Sequence, residues 1–322
     1  MSVRPLRIGT RASALALWQA NRVADLIRAQ PGAPPVELVH IKTEGDLRTD
    51  IPLWAAGGRA FFTKEIDRAQ LAGDVDIAVH SLKDLSTVIA EGLDLAAVLE
   101  REDPRDALLT SLGAHLEDLP PAARVGTSSL RRRAFLLRAR PDLTLLELRG
   151  NVPTRIERLA EGKYDAIVLA TAGLLRLDLA AQIAARIESS VLPPAVSQGA
   201  IGVCARAGDE HALQWLRSLD HAATRVAVTA ERALLRRIEG GCQVPLGALA
   251  TLSGNRLTLR ASVCALDGSV SMDCDERTHL DGDASPLAKA AALGVHVAEK
   301  LLARGAGIII AEQRRPANQD LP

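Results

Sequence analysis

A short pattern that occurs twice constrains this chain most. Arg7-Ile8-Gly9-Thr10-Arg11-Ala12-Ser13 is echoed by Arg124-Val125-Gly126-Thr127-Ser128-Ser129-Leu130. Each reads as an apolar strand, a Gly-Thr turn and a helix start containing serine. A helix start with free amides and a hydroxyl cap is a natural anion site. Two copies predict two α/β units whose helix starts face each other across a cleft. The plainer reading of the same residues is two ordinary capped helices.

The alternation around each copy supports two units. Residues 6–9, 36–41, 76–79 and 93–99 read as strands, with helices over 13–28 and 63–71. Residues 45–60 hold Pro52 and Gly57-Gly58 and read as a flexible loop. This predicts a βαβ-type unit with a mostly parallel sheet. The charged stretch 100–105 is a candidate crossing, after which the pattern restarts. Strands are expected at 124–126, 144–148 and 166–170, with helices at 129–140 and 153–161. Residues 191–198, with Pro193-Pro194, read as the return crossing, and 201–205 as a strand rejoining the first sheet. A helix over 224–238 then ends at Gly240-Gly241. Segments 246–252, 257–265 and 270–275 alternate as an antiparallel meander, and 286–303 closes as a helix. The expected domains are 1–99 plus 200–219, 105–193 and 222–310, with a polar tail over 311–322.

Composition narrows the function. The chain has 322 residues with Lys+Arg and Asp+Glu both at 39, so no net charge favours nucleic acid or a membrane surface. Aromatics at 2% leave few platforms for base stacking. Cys204, Cys242, Cys264 and Cys274 form no CxxC pair and no Cys/His metal spacing, so no metal is expected. The first residues lack the apolar core of a signal peptide, and no apolar run reaches the ~20 residues of a membrane helix. A reducing cytoplasm and a monomer are the expectations.

The cations are 33 Arg and only 6 Lys. Arginine grips a carboxylate with two parallel donors, and lysine does not. Arg11 follows the first Gly-Thr. Arg131, Arg132 and Arg133 open the helix after the second, where cations oppose the helix dipole unless an anion lies nearby. Arg149, Arg155 and Arg176 end or open further elements at the expected carboxyl edge of a sheet. A polyanionic ligand is implied, and no GxxxxGK[ST] or GxGxxG loop points to a nucleotide. Lys83-Asp84 ends a strand. An aspartate there is a helix cap or, ionised among arginines, a group that stabilises a cation or moves a proton. Cys242 lies in Gly240-Gly241-Cys242-Gln243-Val244-Pro245, a loop that displays a thiol, for structure or for covalent chemistry.

These pieces together resemble the porphobilinogen deaminase (hydroxymethylbilane synthase) family over about residues 6–305. The segments that carry the resemblance are 7–13, His80-Ser81-Leu82-Lys83-Asp84, Gly126-Thr127-Ser128-Ser129-Leu130-Arg131-Arg132, 148–155 and 239–247. The resemblance implies a fold of two α/β domains like type II periplasmic binding proteins plus a smaller α+β C-terminal domain. It implies a transferase of porphyrin and haem biosynthesis that joins four porphobilinogens, with loss of ammonia, into the linear tetrapyrrole hydroxymethylbilane. It implies a dipyrromethane cofactor bonded through a thioether to Cys242. Asp84 is then catalytic. Lys83, Ser13, Thr127, Ser129, Arg131, Arg132 and Arg155 hold the cofactor, and Arg11, Gln19, Arg149 and Arg176 hold the substrate. Leu82, Leu85, Ser86 and Ala60 depart from the family's usual residues; the loss of a proline at Ser86 predicts a looser segment after Asp84. The rival readings are a two-lobed carboxylate-binding solute or sensor protein, and a thiol transferase using Cys242.

Overall fold

Among the described residues, three hydrogen-bonded sheets form, two of five strands and one of three. They are seen in a computed structural model that describes residues 4–47, 63–238 and 244–314. The expected loop from position 48 to 60 and Cys242 lie outside the described residues.

The first lobe opens with β1 (Leu6–Thr10), α1 (Ala14–Arg28), β2 (Val36–His40) and the single turn α2 (Glu44–Leu47). It continues with α3 (Lys64–Leu71), β3 (Ile77–Ser81) and β4 (Leu93–Val98). The second lobe holds β5 (Asp106–Thr110), β6 (Arg124–Gly126), α4 (Leu130–Ala139) and β7 (Thr144–Leu146). It ends with α5 (Val152–Ala160), β8 (Ala166–Ala170), α6 (Thr171–Arg176) and β9 (Ala185–Ile187). Then β10 (Ile201–Arg206) returns to the first sheet, and α7 (Glu210–Leu216) packs on it. The third unit comprises α8 (Ala222–Arg237), β11 (Leu246–Ser253), β12 (Arg256–Cys264), β13 (Ser271–His279), α9 (Pro286–Ala303) and α10 (Ala306–Arg314).

The two large sheets share one plan. Their orders are β2-β1-β3-β10-β4 and β7-β6-β8-β5-β9, so the repeated sequence pattern marks equivalent strands, β1 and β6. Each lies parallel between two neighbours. The sheets are mixed, however, not mostly parallel. β10 runs antiparallel to β3 and β4, and β5 antiparallel to β8 and β9. Both odd strands arrive from the opposite lobe and so start where the local parallel strands end. β10 is buried along nearly its whole length, the mark of a central strand. Burial reveals such a strand but not its direction.

The two crossings lie side by side. Leu99 N donates to Ile201 O at 3.0 Å, and Glu102 N to Gly199 O at 3.1 Å. Arg101 Nε reaches Gln198 O at 2.8 Å. Gly199 is needed here, since its φ is +90° and a Cβ would sit 2.3 Å from Glu102 O. The fully buried Glu231 of α8 accepts from Arg101 Nη1 at 2.6 Å, Ser197 N at 2.7 Å and Ala250 N at 2.8 Å. One carboxylate thus ties both crossings to the third unit. Four donors, Arg101 Nη2 included at 3.2 Å, satisfy it, as a charge in a dry interior requires.

The third unit also docks on the second lobe. Cys264 of β12 is buried in that lobe's apolar cluster with Ala134 and Leu136 of α4. The turn after β12 brings Gly268 against the backbone of Leu137 and Arg138, where a Cβ would lie 2.4 Å from Arg138 N.

Candidate active site

The first helix start forms one wall of a pocket. Ser13 caps α1, its Oγ accepting from Ala16 N at 3.4 Å. Arg11, Ser13, Ala16 and Gln19 face Val79, His80, Ser81 and Asp84 at the end of β3. Gln19, buried on α1, donates from Nε2 to Ser81 Oγ at 2.9 Å and so joins helix to strand end. Lys83 and Asp84 follow on one 3₁₀ turn, Leu82–Asp84. Burial pushes the His80 imidazole down to about 4, and the positive charge of Arg11 adds to the effect. His80 is therefore neutral at pH 7, and its buried Nε2 takes no hydrogen bond among the described residues.

The second helix start belongs to the other lobe. Ser129 caps α4 by accepting from Arg132 N at 3.4 Å, and Thr127 Oγ1 accepts from Ser129 N at 3.2 Å. Both helix starts thus make the plain caps that their sequence allows. Arg131 and Arg132 are buried, and the anion beside them belongs to the protein. Asp106, at the start of β5, accepts from Arg131 Nη2 at 2.7 Å and from Arg132 Nη2 at 2.7 Å. This qualifies the inference of an external anion from these two cations, because one carboxylate already offsets half their charge. Burial alone raises the Asp106 carboxyl; the pull of Arg131 and Arg132 outweighs it and holds the group well below the usual carboxylate range. Asp106 stays ionised at any working pH.

Gln198, in the second crossing, links the Lys83 turn of the first lobe to Asp106 of the second. Its Nε2 donates to Asp106 Oδ1 at 3.0 Å and Pro104 O at 2.7 Å, while its Oε1 accepts from Lys83 Nζ at 3.2 Å. A chain of contacts therefore runs from Lys83 through Gln198 and Asp106 to Arg131 and Arg132. Desolvation pushes Lys83 down to about 8, with Asp84 opposing and Arg132 adding. Arg155 is pushed down to about 10 by desolvation, then by Arg132 and Arg149. It donates from Nε to Gly150 O at 2.8 Å. Arg176 donates to Gly199 O at 2.6 Å, and its guanidinium carbon lies 5.7 Å from the centre of the Trp18 ring on α1.

Asp84, Lys83, Arg11, Ser13, Gln19, Arg131, Arg132, Arg149 and Arg155 are thus brought together, and Arg176 borders them. Asp106 and Gln198 were not singled out from sequence. An ionised residue opening the apolar run Asp106-Ala107-Leu108-Leu109 is the signal that points to the first; Gln198 leaves no such mark.

Comparison with known proteins decides the family. The porphobilinogen deaminase dipyromethane cofactor binding domain matches residues 6–214, and the porphobilinogen deaminase C-terminal domain matches residues 225–303. The chain belongs to the porphobilinogen deaminase family. The porphobilinogen deaminase of Geobacter metallireducens is 48% identical over 99% of this chain and 98% of its own. That of Geotalea daltonii is 48% identical over 97% of this chain and 96% of its own. Immunogenic lipoprotein A from Vibrio vulnificus, a solved structure, aligns with 70% of this chain and 99% of its own at 13% identity and a TM-score of 0.43. The chain is accordingly a transferase of tetrapyrrole synthesis, and its first two lobes are the family's dipyrromethane-binding domain. Among the described residues no helix is long and apolar enough to cross a membrane.

Proposed function

We propose that the chain joins four porphobilinogens into hydroxymethylbilane on a dipyrromethane primer bonded to Cys242, with Asp84 as the catalytic group. The observation that carries this reading is the convergence of Asp84 with Lys83, Arg131 and Arg132 through Gln198 and Asp106. The donor set fits the cofactor. Pyrrole acetates and propionates need two-pronged cations in a partly dry site, and arginines outnumber carboxylates here. Lys83, Ser13, Thr127, Ser129, Arg131, Arg132 and Arg155 would hold those carboxylates, and Arg11, Gln19, Arg149 and Arg176 those of the incoming substrate. When bound, dipyrromethane would supply the free pyrrole α-carbon to which the first unit is added, each later unit joining the ring before it.

The protein's share of the chemistry is electrostatic. When the C–N bond of porphobilinogen's protonated aminomethyl group breaks, ammonia leaves with the electron pair and the pyrrole becomes a cation. The Asp84 carboxylate stabilises that cation through the ring N–H and shuttles the proton lost from the attacking carbon. The buried free thiols Cys204, Cys264 and Cys274 fit a reducing cytoplasm. A carboxylate binder of two lobes is not favoured, because the family models extend into the third unit.

Intact-protein mass spectrometry tests the tether. Purified protein should exceed its sequence mass by two linked pyrroles, and Cys242→Ser should not; an unmodified wild-type mass would sink the reading. Asp84→Ala should lose ammonia release by at least about 100-fold while keeping its fold. Near-normal release would remove Asp84 from the mechanism. Arg131→Leu and Arg132→Leu should each fail to load the primer.

A further inference from the structure

A carboxylate that must meet a reacting carbon needs a fixed backbone, and part of what fixes Asp84 lies outside its own lobe. Leu82 and Leu85, on either side of Lys83-Asp84, are buried in a cluster with Val228 of α8. One turn along the same helix, Arg232 reaches the segment directly after Asp84. Its Nη1 donates to Leu85 O at 3.2 Å and its Nη2 to Ser86 O at 2.5 Å. Ser86 Oγ in turn accepts from Val88 N at 3.2 Å. The segment expected to loosen for want of a proline is held by a guanidinium fork instead. Residues four apart share a helix face, so Val228 and Arg232 act as one clamp. The neighbouring Glu231 binds both crossings.

We infer that Arg232 is a positioning residue for the reaction: it holds the Asp84 turn in register with the third unit, so the carboxylate keeps its place while the chain lengthens. The inference rests on the proposed roles of Asp84 and Cys242. Those roles are tested by wild-type mass and by Asp84→Ala; Arg232 is tested on protein already shown to carry the primer.

Arg232→Leu and Arg232→Lys are compared with wild type for primer mass, thermal midpoint, kcat and KM. Positioning predicts full primer loading and a KM within about twofold of wild type. It predicts a kcat lower by about 10- to 100-fold in Arg232→Leu, the scale of an ångström-sized misplacement. Arg232→Lys should recover part of that loss, since an ammonium can still reach one carbonyl. A raised KM at normal kcat would overturn the inference by making Arg232 a substrate contact. So would a lowered thermal midpoint with kcat intact in both variants, which would reduce Arg232 to a structural tie.

Discussion

Asp106 shows how one side chain sets the state of its neighbours. Two guanidiniums are buried against it, and each is stable there only because the carboxylate is ionised. Asp106→Asn leaves Arg131 and Arg132 facing a neutral amide. Removing one partner from a buried ion pair costs about 3–5 kcal/mol. The thermal midpoint should fall by many degrees and primer loading should fail; a midpoint unchanged within two degrees would contradict the account. Lys83 carries the pH dependence. Its folded pKa, pushed down to about 8, lies below that of an unfolded lysine. The site therefore loses a cation as pH rises through about 8, and apoprotein should load its primer progressively less above that pH. Stability follows the opposite sign. The cost of burying charged Lys83 is present below about 8 and relieved between there and the lysine range. Lys83→Arg should abolish the alkaline fall in loading, read as the fraction of loaded mass against pH.

At the scale of elements, the third unit is positioned by a turn and a helix. Gly268 lies at φ +76° with α4 backbone where a side chain would go, whereas Gly254, at φ +58°, faces open space. The pair separates backbone strain from docking. Gly254→Ala should cost about 1 kcal/mol through strain alone. Gly268→Ala adds a clash with Arg138 N and should cost clearly more. It should also expose Cys264, which is fully buried beside Ala134, to alkylation in the folded protein. Equal stability losses in the two variants, with Cys264 still protected, would show that the turn does not hold the interface.

For the molecule as a whole, Glu231 ties both crossings to the third unit. Its carboxylate accepts four hydrogen bonds, and an amide at that place must turn an N–H toward another donor. Glu231→Gln should destabilise the protein by about 3 kcal/mol or more. Amide exchange should quicken at residues 99–105 and 196–200 beyond what the stability loss produces in β1 or β6. Uniform acceleration throughout would show that the tie stabilises the fold without governing the crossings.

Much of this was legible in the amino acids. Ser13 and Ser129 announce helix starts, Gly9-Thr10 and Gly126-Thr127 announce the turns before them, and unbroken apolar runs announce buried strands such as β3, β8 and β10. Those signals are local: a cap or a turn is settled by residues within one helical turn, and burial leaves a mark on every residue buried. The five matching segments made the family legible as well. What needed the tertiary structure is every contact between distant parts. Arg131 meets Asp106 from 25 positions away, Lys83 meets Gln198 across 115, and Arg232 meets Ser86 across 146. The antiparallel entry of β5 and β10 was hidden for the same reason. Which residues become partners, and which way a buried strand runs, depends on how the chain crosses between lobes, and no pattern within a short window encodes that path.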